Sequence, residues 1–196
     1  MARVKVPTII LASASPRRAE LLRSAAMPFT VDVANVSEKA LPGERPREYA
    51  QRLAQEKAEV VAKRNPGKLV LGADTIVVVD DEILEKPHDS SDAARMLRML
   101  SGRAHEVITG VCLALLGTGN AKLETSSERT TVHFVPLTAS DIETYIATNE
   151  PMDKAGAYAI QGIASRWIDR IEGDYANVVG LPVALVWKML QNFPNG

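Results

Sequence analysis

Apolar positions along this chain switch between two periods, and the switches mark its elements. Thr8-Ile9-Ile10-Leu11-Ala12 is a short continuous apolar run, which predicts a buried strand over 7–12. Ser13-Ala14-Ser15 makes a small-residue turn. Ser15 and Pro16 then open a helix over 15–26, the serine as N-cap and the proline in the first turn, where its missing N–H costs nothing. Phe29-Thr30-Val31-Asp32-Val33 alternates and predicts a strand with one buried face. After a Pro/Gly turn at 41–45, Pro46 starts a helix running to about Arg64, and Asn65-Pro66-Gly67 stops it. Residues 69–73 and 75–79 read as strand segments, Asp80-Asp81 as a turn, and 82–85 as the returning strand. A helix over about 90–100 places Ala93, Met96, Leu97 and Leu100 on one face, with Gly102 just beyond its end. Two strands follow near 105–116 and 129–135, separated by the polar stretch 117–127. Thr138-Ala139-Ser140-Asp141 is a capping-box pattern, with Asp in the Glu position, for a helix to about Thr148. Residues 151–180 are rich in glycine and aromatics without a clean period, and Leu181-Pro182 begins a last amphipathic helix. Strands alternating with helices, together with two hairpins, predict an α/β fold: a mixed sheet with flanking helices.

Composition narrows the function classes. With 196 residues the chain can bury a sizeable core and is most simply one domain over 1–196. A formal net charge of −1 argues against a broad nucleic-acid-binding surface, which needs a basic excess. The single cysteine, Cys112, excludes an intramolecular disulfide and a cysteine-based zinc site; inside the apolar run 111–116 it reads as a buried structural thiol. No segment has the pattern of a signal peptide, and no apolar run reaches the ~18 residues of a membrane span. The expectation is a cytoplasmic protein with no membrane or nucleic-acid partner.

Four residues at three places break the structural rules. Arg17 and Arg18 occupy the first turn of a helix, where the partial positive charge of the helix end favours acidic residues by ~0.3–1 kcal/mol each. Either an anion sits at this helix mouth, held by backbone N–H groups, serine hydroxyls and guanidinium forks, or both arginines point into water. Lys57 falls inside the apolar stripe formed by Ala50, Leu53, Ala54, Ala58 and Val61, at about 100° per residue. It either snorkels past small alanines or lines a polar cleft that receives anions. Asp74 stands between two strongly apolar strand segments, where aspartate is disfavoured. It either caps an exposed turn or, with Thr75, presents a carboxylate and a hydroxyl to a cleft.

Other candidates carry less by themselves. Glu38 lies in the polar run Ser37-Glu38-Lys39, and Lys86 ends an apolar edge, where a charge commonly serves solubility. Gln161-Gly162 has no meaning in isolation. His105 and His133 have no ligand-spaced partner and read as structural or surface histidines. The phosphate-loop, dinucleotide and zinc-protease signatures are absent. The unusual positions are therefore cations (Arg17, Arg18, Lys57, Lys86) and carboxylates (Asp74, Glu38). Cations suit a polyphosphate, and carboxylates suit the divalent metal that travels with it. That combination points to phosphate-ester or anhydride chemistry.

The same residues carry a resemblance to a known family. Leu11-Ala12-Ser13-Ala14-Ser15-Pro16-Arg17-Arg18, Glu56-Lys57-Ala58, Leu71-Gly72-Ala73-Asp74-Thr75 and Leu84-Glu85-Lys86-Pro87 are followed by Asp153-Lys154-Ala155-Gly156-Ala157-Tyr158, Ile160-Gln161-Gly162 and Asn177-Val178-Val179-Gly180-Leu181-Pro182. In this order the motifs resemble those of the Maf family of nucleoside triphosphate pyrophosphatases over nearly the whole chain. Two departures stand out: Ser37-Glu38 replaces an acidic pair frequent in relatives, and Ala14 replaces a frequent glycine. The resemblance implies two lobes around a deep cleft, commonly in a homodimer, and hydrolysis of a nucleoside triphosphate to the monophosphate and pyrophosphate. It implies Asp74 as proton acceptor for the attacking water and Glu38 with Asp74 as holders of a divalent metal cation, Mg2+ or Mn2+. Ser13, Arg17, Arg18, Lys57 and Lys86 would grip the triphosphate. Arg17, Thr75 and Gln161 match the specificity positions of the branch acting on dTTP and UTP, extending to modified pyrimidine nucleotides. The branch preferring 7-methyl-GTP tends to an acidic residue near Gln161; a neutral amide instead donates to and accepts from a pyrimidine edge. A rival of another class is a nucleotide-binding regulator of cell division or septum formation.

Overall fold

In a computed structural model, which describes residues 7–117 and 121–193, the strands are β1 (Ile9–Leu11), β2 (Phe29–Val31), β3 (Leu69–Val79), β4 (Glu82–Leu84), β5 (Ala104–Leu116), β6 (Ala121–Phe134) and β7 (Ile168–Glu172). The helices are α1 (Pro16–Ser24), α2 (Pro46–Arg64), α3 (Ser90–Leu100), α4 (Ala139–Ala147), α5 (Tyr175–Val179) and α6 (Val183–Leu190). The strands hydrogen-bond in the order β2-β1-β3-β5-β6-β7, with β4 beside β3. β1 is parallel to β2 and β3, whereas β4 and β7 are antiparallel to β3 and β6. The predicted mixed sheet with flanking helices is what forms.

The chain divides into two compact units. The first is Met1–Asp74, Thr109–Glu128 and Gly180–Gly196; the second is Thr75–Ile108 and Arg129–Val179. In the first unit alternate strand residues face opposite cores. Ile9, Leu11, Leu71 and Leu113 pack with Leu22 of α1 and with Val186 and Met189 of α6. Ile10, Val70 and Cys112 pack with Ala54, Ala58 and Val61 of α2. Both faces are covered, so these strands read as continuous apolar runs. Burial pushes the Cys112 thiol up to about 11, as expected of an inert structural cysteine. The second unit has its own core, centred on Leu84, Leu97, Leu100, Val132 and Tyr145. There His105 is buried and bonded to the Tyr158 hydroxyl at 2.7 Å, and burial drives its pKa down to about 3. It is a neutral structural imidazole.

Helix α2 lies unusually close to the sheet. A Cβ on Gly72 would fall 2.1 Å from the Ala54 carbonyl oxygen, and one on Gly110 would fall 2.1 Å from that of Ala50. The alanine stripe of α2 and these glycines are one device: neither surface carries a side chain that would hold the backbones apart.

The structure departs from the sequence reading in three places. β2 has no buried face: Phe29 is half-buried, and Thr30 and Val31 are exposed, because β2 is an edge strand. The polar stretch predicted to separate two strands is itself strand from Ala121, the start of β6 beside β5, although none of its residues is buried before Thr130. The aperiodic region resolves into three single 3-10 turns, β7 and α5. Its fixed points are individual contacts, such as the edge-to-face pair of Tyr145 and Trp167, which leave no period to read.

Gly72→Ala forces α2 off the sheet or distorts β3. We expect a loss of about 1–3 kcal/mol in urea unfolding, typical of overpacking; a variant as stable as the parent would mean the close approach is not required.

Candidate active site in the first unit

The mouth of α1 is built from its own serines. The Ser15 side chain caps the helix by accepting from the Arg18 backbone N–H at 3.4 Å. Ser13 Oγ accepts from the Ser15 N–H at 3.2 Å and from Arg18 Nη1 at 3.0 Å. Arg18 Nε donates to the Gly180 carbonyl at 2.8 Å, so this guanidinium is turned inward rather than into water. Burial lowers its pKa from the ordinary arginine value and the Asp74 charge opposes that; an arginine stays protonated throughout. Arg17 beside it is half-buried.

Period 2 explains what lies under α2. Val70, Gly72 and Asp74 alternate with Leu71 and Ala73 along β3, so Asp74 continues the row that faces α2. Ala54 sits over Gly72, and Lys57 is one helical turn further on. Lys57 is only 8% exposed, and its Nζ meets Asp74 Oδ1 at 2.6 Å and Glu38 Oε1 at 2.5 Å. The snorkelling alternative is therefore wrong: the ammonium ends between two carboxylates, not in water. The turn-cap alternative for Asp74 is also wrong, because β3 runs unbroken from Leu69 to Val79. Burial raises the Asp74 pKa, with Lys57 and Arg18 pulling the other way. Burial outweighs the neighbouring cations because the carboxylate sits inside the sheet–helix layer.

Ser13, Arg17, Arg18, Glu38, Lys57 and Asp74 thus belong to the first unit. Thr75, Lys86 and Gln161 belong to the second. Thr75 is half-buried and follows Asp74 on β3, whereas Lys86, between β4 and α3, is exposed. Gln161 is exposed and directly precedes Gly162, which the sequence left without a role. A Cβ on Gly162 would lie 2.0 Å from Glu150 Oε1, the same oxygen that accepts from the Tyr145 hydroxyl at 2.9 Å and the Ile163 N–H at 3.0 Å. Glu150 therefore pins the turn that carries Gln161; a carboxylate before Pro151 offered no sequence signal for that.

Two carboxylates converging on one point suit a hard divalent cation such as Mg2+ or Mn2+, which takes its remaining ligands from water and substrate phosphates. Among the described residues no cluster of three or more His, Cys, Asp or Glu side chains is placed to hold a metal unaided.

A family model described as Maf-like protein matches residues 8–193. A dTTP/UTP pyrophosphatase of Koribacter versatilis is 57% identical over 183 residues, which are 93% of this chain and 93% of that protein. Another, from Symbiobacterium thermophilum, is 52% identical over 94% of this chain and 93% of its own. A solved HAM1 protein from Coxiella burnetii aligns with 66% of this chain and 73% of its own at 16% identity and a TM-score of 0.43, too low to bear on the fold. The family match spans Ser13, Arg17, Arg18, Glu38, Lys57, Asp74, Thr75, Lys86 and Gln161, and the chain belongs to the family of Maf-like proteins.

Proposed function

We propose that this protein is a nucleoside triphosphate pyrophosphatase that hydrolyses dTTP and UTP to the monophosphate and pyrophosphate. The observation that carries the reading is the buried ammonium of Lys57 held between Glu38 and Asp74. A protein that only bound nucleotides would need cations; it would not need a buried carboxylate of raised pKa beside them. The names of the two relatives, at 52% identity or more, support the substrate class.

In this reading Asp74 accepts a proton from the attacking water as the α–β phosphoanhydride is cleaved and pyrophosphate leaves. Lys57, Arg17, Arg18 and Lys86 spread and neutralise the charge of the triphosphate, and Ser13 orients it together with Arg18. Glu38 and Asp74 would hold the divalent cation, which supplies further charge neutralisation when bound. Arg17, Thr75 and Gln161 select the base, the Gln161 amide matching a pyrimidine edge. The single catalytic domain, the homodimer and the cytoplasmic location implied by the resemblance belong to the same proposal. No helix among the described residues is long and apolar enough to cross a membrane.

Purified protein incubated with a nucleotide panel and Mg2+ or Mn2+ should release pyrophosphate from dTTP and UTP. Release from 7-methyl-GTP instead would overturn the specificity, and nucleotide binding without release from any substrate would favour the regulator. Lys57→Met leaves Asp74 buried without its cation and should cost about 3 kcal/mol in urea unfolding at pH 7. A cost under ~0.5 kcal/mol, as for an exposed pair, would mean that Asp74 does not depend on Lys57.

A further inference from the structure

Glu38 has a difficulty that the other site residues lack. It lies between β2 and α2, on a segment with no helix or strand to fix it, and its side chain is 49% exposed. Yet its carboxylate reaches Lys57 at 2.5 Å. Two side chains of α2 supply the missing constraint. The Tyr49 hydroxyl donates to the backbone carbonyl of Glu38 at 2.9 Å, and Arg52 Nη2 donates to the next carbonyl, that of Lys39, at 3.0 Å. These are the carbonyl of Glu38 itself and that of the next residue, so the grip is on the stretch of backbone that carries this carboxylate.

The remaining donors of Arg52 tie down the other end of the segment. Nε and Nη2 form a two-pronged pair with Glu44 at 2.6 and 2.8 Å, and Nη1 meets Glu56 at 3.0 Å. Glu44 in turn accepts from the Leu41 N–H at 3.0 Å, closing the loop on itself. The Arg52 guanidinium carbon lies 5.4 Å from the centre of the Tyr49 ring, and Tyr49 is 2% exposed. The tyrosine is a buried anchor, and the arginine is clamped on it. Tyr49, Arg52 and Glu56 are three and four residues apart on α2, the spacing of one helix face, and Lys57 follows at once.

We propose that Tyr49 and Arg52 are positioning residues for Glu38, strapping residues 38–44 along α2 so that the Glu38 carboxylate meets the Lys57–Asp74 pair. The inference rests on reading Glu38 as a ligand of the divalent cation. Residues that orient a metal-binding carboxylate tune its affinity without touching the metal or the nucleotide. An arginine is required in this place, because a lysine presents a single ammonium and cannot span Glu44, Glu56 and the Lys39 carbonyl together.

The test is Mn2+ binding, followed by the electron paramagnetic resonance of free Mn2+, in the full chain and in Tyr49→Phe, Arg52→Lys and Glu38→Gln. Thermal melts accompany each variant, and Tyr49→Phe, which removes only a hydroxyl, is chosen to remain folded. We expect Mn2+ affinity to fall about tenfold in Tyr49→Phe and Arg52→Lys, with KM for UTP at saturating Mn2+ little changed. Combining Arg52→Lys with Glu38→Gln should add no loss beyond Glu38→Gln alone, since both act through one carboxylate. Parental Mn2+ affinity in Tyr49→Phe and Arg52→Lys, alongside a weakened Glu38→Gln, would overturn the strap and leave the metal reading standing. Parental affinity in Glu38→Gln would overturn the metal reading itself, and the strap's role with it.

Discussion

The site depends on how closely one helix approaches the sheet. Alanines at 50, 54 and 58 of α2 face glycines at 72 and 110, and there is no room for a Cβ at either glycine. Larger residues in these places would lift α2, and the Lys57 stem would no longer deliver its ammonium to Asp74. Helix propensity and hydrophobic burial explain why α2 forms. The small-residue contact explains why it sits at the depth where a helix lysine meets a carboxylate in the middle of a strand.

Burying an ammonium with two carboxylates is not an economical way to stabilise a fold. Desolvation of such a pair commonly offsets its attraction, and apolar residues of similar size are often as good or better. Here the pair sits inside an otherwise apolar layer of Ile10, Val70, Cys112 and Val61. Arg18, anchored by Ser13 and by the Gly180 carbonyl, adds a third charge that acts on Asp74. A group this costly, in a layer that could have been filled with valine, fits a role in chemistry better than one in stability.

Much of this was legible because it broke a local rule. A lysine inside an alanine stripe and an aspartate inside a valine-rich strand conflict with simple periodicity, and they are the residues that meet. The bounds of α2 and α3 were legible for the opposite reason: proline, Asn-Pro-Gly and a clean apolar face agree with one another. Glu38 was not legible by itself, since a carboxylate in a polar run is ordinary until Tyr49 and Arg52 are seen to hold its backbone. The edge position of β2 and the strand character of 121–129 were also hidden, because they depend on what pairs with a segment rather than on what composes it. Hydrogen bonds accepted by the Glu150 carboxylate and the Tyr145 hydroxyl organise the turns after residue 150, and such contacts leave no repeating pattern.

In the proposed reaction Asp74 takes the proton of the attacking water, while Arg17, Arg18 and Lys57 bind the triphosphate without it. Asp74→Asn preserves the shape of the side chain while removing its basicity. The decisive measurement is pyrophosphate release from UTP beside equilibrium binding of UTP, both on the same preparation of this variant. Release should be lost while nucleotide binding persists. Release at the parental rate would contradict that role for Asp74.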